Sequence, residues 1–105
     1  MGSGVRTKLA RKELEDEEER WARAARTVLR AYREDADLTQ EQLAARVGWT
    51  PVQVVNLENG KKAMDIRHVV RIVRALGIDP AKAFAQIGNW VQGQDWRAPG
   101  RPTVR

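Results

Sequence analysis

Thr39-Gln40-Glu41-Gln42-Leu43-Ala44-Ala45-Arg46-Val47-Gly48-Trp49-Thr50-Pro51-Val52-Gln53-Val54-Val55-Asn56-Leu57-Glu58-Asn59-Gly60-Lys61 is the stretch that decides the fold. It reads as two short helices, about 40–47 and 51–58, each with its own start and stop. Thr39 stands three residues before Gln42, the spacing of a capping box: the hydroxyl accepts an orphan amide while the glutamine reaches back. Thr50 and Gln53 repeat the device, and Pro51 takes the first helical position, where its missing N–H is harmless. Gly48 stands where a left-handed C-cap is wanted, and Asn59-Gly60 closes the second helix in the same way. Two capped helices of about two turns across such a turn form a helix-turn-helix unit, whose second helix can lie in a DNA major groove.

Upstream, Trp21, Ala24, Ala25, Val28, Leu29 and Tyr32 recur at three- and four-residue steps, an apolar stripe ending near Glu34. Before it, Arg11 to Arg20 is almost entirely charged, with Glu17-Glu18-Glu19 at its centre and Leu14 seven residues ahead of Trp21. The pattern predicts one helix over 8–34 whose first half projects from the domain. That half is either a solvated lead-in or a handle for a protein partner or a second copy. Downstream, Asp65 caps a helix over about 66–76, with Ile66, Val69, Val70, Val73 and Leu76 at helical spacing and Gly77 ending it. Asp79-Pro80 starts another, in the cap-then-proline order of a true start. Phe84 and Ile87 continue its stripe, and Trp90-Val91 extend it past Gly88. With no strand-like alternation and no repeats, the class is all-α. The expected organisation is a charged extension over 1–20, a domain over 21–92 and a flexible basic tail over 93–105.

The central segment resembles the helix-turn-helix domains of the phage-repressor and Cro family, also called the xenobiotic-response-element family. The matching residues are Thr39-Gln40, Leu43-Ala44 and Val47-Gly48, then Thr50, Val54 and Leu57-Glu58-Asn59-Gly60-Lys61. The resemblance implies a five-helix repressor-like domain over roughly 21–88 that binds double-stranded DNA and regulates transcription. It maps groove contact onto the outward, N-terminal face of the helix over 51–58. With Val54 and Leu57 pointing in, Pro51, Val52, Gln53, Val55 and Asn56 are left to meet bases. Gln53 and Asn56 carry amides that can pair with adenine N6 and N7. Pro51, Val52 and Val55 depart from the polar residues family members often place there; they can only press on thymine methyls or fill space, which favours A·T-leaning or shape-assisted recognition.

The resemblance also implies that Gln40 bonds a phosphate at the start of its helix, with Thr50, Asn59, Lys61, Lys62 and Arg67 as further phosphate contacts. It pairs Arg33, late in the first helix, with Glu58, which ends the reading helix. Trp49, in the turn, is expected to pack rather than read bases. In the tail, Gly100-Arg101-Pro102, flanked by Arg97 and Arg105, is similar to the core of a minor-groove AT-hook. A single small module buries limited surface on DNA, so a homodimer with half-sites about 34 Å apart is expected. Phe84, Ile87, Trp90 and Val91 are the dimer candidates, and for Trp90 folding back onto its own domain is the open alternative.

Composition narrows the remaining classes. Nineteen Lys and Arg against fourteen Asp and Glu give a net charge of +5. The excess is uneven: nine basic and eight acidic residues over 1–35, one and three over 36–60, nine and three over 61–105. A basic surface following the reading helix is the electrostatic footprint of a DNA binder. Without cysteine, disulfides, thiol catalysis and Cys-based zinc sites are excluded. The single His68 excludes a histidine triad. No apolar run approaches the roughly 20 residues of a membrane span, and the N-terminus has no signal-peptide core; the expected compartment is the cytoplasm, with nucleoid association when bound to DNA. No cofactor, metal or membrane is expected, and no nucleophile–base set or phosphate loop points to an enzyme. The alternative reading is an adaptor or antitoxin-like protein-interaction module on the same fold.

Overall fold

The computed structural model describes residues 8–96, and within them five α-helices: α1 Arg11–Asp35, α2 Gln40–Val47, α3 Pro51–Glu58, α4 Ile66–Ala75 and α5 Pro80–Val91. No strand occurs among the described residues. Both capping boxes form. Thr39 Oγ1 accepts the Gln42 amide at 3.0 Å while Gln42 Oε1 accepts the Thr39 amide at 2.8 Å; Thr50 and Gln53 repeat this at 3.3 and 2.8 Å. Gly48 takes the left-handed conformation (φ 82°) that turns the chain between α2 and α3.

Helix α1 starts at Arg11 rather than at residue 8. Its first turn is fixed where the Ala10 amide donates to the Glu13 carboxylate at 2.8 Å, the acidic half of a capping box satisfied without a hydroxyl. At about 1.5 Å per residue its 25 residues span roughly 37 Å. Its buried residues begin only at Ala24, and Leu9, Leu14 and Trp21 are exposed, so the first half projects.

The core gathers Ala24, Val28, Leu29 and Tyr32 of α1 with Leu43, Ala44 and Val47 of α2, Val54 of α3, Val69, Ile72 and Val73 of α4, and Ala83 and Ile87 of α5. Leu57 is also buried, and Leu38 is partly buried against this cluster. Helix α1 packs chiefly on α5, and α2 on α3. The expected α4 face is corrected. Ile66 is 64 % exposed and Val70 37 %, whereas Ile72, absent from the expected stripe, is buried. The buried set Val69-Ile72-Val73 follows helical spacing toward α1, α2 and α5, and placing Ile66 and Val70 inward would rotate that face away.

Helix α5 runs uninterrupted through Gly88, and the reason lies in α1. The Trp21 ring lies over Gly88, its Cη2 3.3 Å from where a β-carbon would stand, so the glycine makes room for a close helix–helix approach. At the end of α5 the chain turns at Gly93 (φ 72°), and Trp96 packs against the core. Residues 97–105, with the Gly100-Arg101-Pro102 element and the rest of the expected tail, lie outside the described residues.

Candidate nucleic-acid interface

Three helices are locked together by one carboxylate. Arg33 Nε donates to Glu58 Oε2 at 2.7 Å and Arg33 Nη2 to Glu58 Oε1 at 3.1 Å, a bidentate pair with both side chains at least nine-tenths buried. Arg33 Nη1 also donates to the Leu38 carbonyl at 2.7 Å. Gln40 Nε2 of α2 donates to Glu58 Oε1 at 2.9 Å. The resemblance gave Gln40 as a phosphate contact through its side chain and the helix-end amides together; in this structure the side chain bonds Glu58 and holds α2 against the end of α3. Of the amides opening α2, that of Gln42 is taken by the Thr39 hydroxyl, while those of Gln40 and Glu41 have no intrahelical acceptor and can meet an anion.

This lock fixes how α3 is presented. Val54 and Leu57 are buried, and Pro51, Val52 and Gln53 are exposed, with Val52 at 65 %. Val55 and Asn56 are half-buried on the flank, so the exposed face is concentrated in the first turn. Gln53 is partly committed to its cap through Oε1, which accepts the Thr50 amide and hydroxyl at 2.8 and 3.3 Å; its Nε2 has no such role.

Past α3, Asn59 Oδ1 accepts the Lys61 amide at 2.9 Å and the Lys62 amide donates to the Asn56 carbonyl at 3.0 Å. These bonds fold the loop so that two exposed lysines follow directly on α3. Gly60, at φ 84°, is the left-handed residue that makes the turn. Arg67 is exposed at the start of α4 and lies 3.2 Å from Asp65. That guanidinium, followed by the helix amides of His68 and Arg67, holds the Asp65 carboxyl below the usual carboxylate range.

Trp49 packs, as its place in the turn suggested. Its ring meets His68 edge-on at 5.5 Å, and the Arg71 guanidinium lies 5.8 Å above it while donating to the Val47 carbonyl at 3.2 Å. His68 accepts the Asp65 amide on Nδ1 at 2.9 Å and so helps cap α4. Its place three residues after Asp65 was the available signal.

Of the dimer candidates, Ile87 is 2 % exposed and belongs to the chain's own core, so it presents no surface to another copy. Trp90 and Val91 are partly buried against the same core, and Phe84 is 37 % exposed. Among the described residues no cluster of His, Asp or Glu could hold a metal, and no helix is long and apolar enough to cross a membrane.

A family model described as helix-turn-helix matches residues 29–82. A protein named as an uncharacterized HTH-type transcriptional regulator, from Methanothermobacter thermautotrophicus, is 44 % identical over 52 residues, covering 50 % of this chain and 75 % of that protein. No solved structure matches the chain. The matched block runs from the buried half of α1 into α5 and contains both capped helices, the Gly48 turn and the Arg33–Glu58 lock: the chain belongs to the helix-turn-helix family of the phage-repressor and Cro type, a family of DNA-binding transcription regulators.

Proposed function

We propose that this protein is a sequence-specific regulator that lays α3 in the major groove of double-stranded DNA. The observation that carries the reading is the exposed first turn of α3, bounded by the capped opening of α2 on one side and the Lys61-Lys62 loop on the other. Base reading falls to Pro51, Val52, Gln53, Val55 and Asn56. The exposed valine suits a thymine methyl, and the Asn56 amide suits adenine, each good bidentate pair being worth about 1–3 kcal/mol of discrimination. Phosphates are met by the opening of α2 at Gln40 and by Thr50, Asn59, Lys61, Lys62 and Arg67. Two copies on half-sites one helical turn apart supply the contact area a single module lacks, with Phe84 the exposed apolar residue of α5 nearest to that role.

One observation favours a second reading, a protein-interaction adaptor: Val52, 65 % exposed on the reading face, is apolar. Selection of duplexes from random DNA, followed by titration across salt, separates the two. A regulator enriches one motif, and its log affinity falls with log salt at a slope of about −0.9 per phosphate neutralised. An adaptor enriches nothing and shows no affinity for duplex at physiological salt, which would overturn the DNA reading.

A further inference from the structure

The resemblance places phosphate contacts at the start of α2, at Thr50 before α3, on the loop that follows α3 and at Arg67 of α4. The packing of α1 adds cations it does not include. The Arg26 guanidinium carbon sits 3.2 Å from where a β-carbon on Gly60 would stand, with Nε at 3.3 Å and Nη1 at 3.4 Å. Gly60 takes its positive φ here and the Arg26 guanidinium lies close against it, and the residue after it is Lys61. One turn further along α1, Arg30 shares with Arg26 and Thr27 a cleft of about 300 Å³ whose other walls are Ala31, Glu34, Glu58 and Trp96.

The carboxylates around these arginines divide into two kinds. Glu58 cannot neutralise them, because both its oxygens are taken by Arg33 and Gln40. Glu19, at 3.5 Å from Arg26, and Glu34, at 3.2 Å from Arg30, are more than half exposed. The Arg30–Glu34 pair is exposed on both sides, and such pairs are weak and readily exchanged; the Arg26 side chain is 23 % exposed beside a solvent-facing Glu19, and a phosphate offers a guanidinium a better-shaped bidentate partner.

We propose that Arg26 and Arg30 form an accessory seat for the DNA backbone, continuing the Lys61-Lys62 edge onto α1 and lengthening the footprint beyond the reading helix. The inference rests on the DNA reading above and names a further surface for the same partner. Trp96 walls the seat and closes the described part of the cleft.

The test is the salt dependence of binding to the selected duplex for the full chain, for Arg26→Gln with Arg30→Gln, and for Arg26→Lys with Arg30→Lys. Arg74→Gln on α4 serves as a charge-removal control. Loss of two phosphate contacts is expected to make the log–log slope shallower by about 1.8. The lysine pair should retain the full slope, and the Arg74 variant should nearly do so. A glutamine pair with the wild-type slope, or one no shallower than the Arg74 control, overturns the seat while leaving the DNA reading intact. Absence of duplex binding by the wild-type chain removes both. Should the glutamine pair fail to fold on a thermal melt, Arg30→Gln alone, at a side chain 60 % exposed, carries the test with an expected change of about 0.9.

Discussion

Tyr32 shows how much one atom can add to a pattern. The stripe on α1 marked it as a core position, and its ring is 2 % exposed. Its hydroxyl has no hydrogen-bond partner among the described residues, and burial pushes the phenol up to about 12. An unfolded tyrosine ionises near 10. The stability carried by the neutral phenol is therefore complete below about pH 10 and is lost as pH rises toward about 12, a change of about 3 kcal/mol. Tyr32→Phe should abolish that alkaline loss, and at neutral pH should raise stability by about 1 kcal/mol by removing an unsatisfied donor. Urea melts at pH 7 and 11 decide this; a lower midpoint for the phenylalanine variant at pH 7 would mean the hydroxyl has a partner in solution. Nothing in the sequence exposed the missing partner, because a helical stripe specifies which residues face inward and not what their polar ends meet.

Between elements, the decisive contact is the Glu58 carboxylate shared by α1 and α2 at the end of α3. Its bonds span 25 residues to Arg33 and 18 to Gln40, and all are largely dry. Glu58→Ala strands the Arg33 guanidinium and should lower stability by roughly 3–5 kcal/mol, damaging folding before it damages recognition. A chemical denaturation curve matching wild type would refute the lock. The pairing of Arg33 with Glu58 was suggested by family resemblance; the part played by Gln40 was not, since its position at a helix start points equally to a phosphate. Helix α4 carries the same lesson. Its sequence holds apolar residues at Ile66, Val69, Val70, Ile72 and Val73, more than one face can bury, and the neighbouring helices select Val69, Ile72 and Val73. A periodicity argument cannot choose between overlapping stripes.

For the molecule as a whole, the charged first half of α1 stands apart from the core. No residue between Arg11 and Arg20 is buried, and its ion pairs, such as Lys12–Asp16 and Arg20–Glu17, are local and exposed. Removing residues 1–16 should therefore shift the unfolding free energy by only about 0.5 kcal/mol. A melt showing a loss of several kcal/mol would mean that this segment packs on a body the single chain does not contain. The sequence by itself determined the five helices with their caps and turns, because caps, glycine turns and helical periodicity are local, acting within about one turn of the chain. Only the tertiary structure decided which α4 face is buried, that Gly88 lies beneath Trp21, that Gln40 serves Glu58, and that Arg26 rests on Gly60 beside the lysine loop. These are contacts between residues far apart in sequence, and they depend on how close two helices come and how they are rotated, which no spacing rule along one chain specifies.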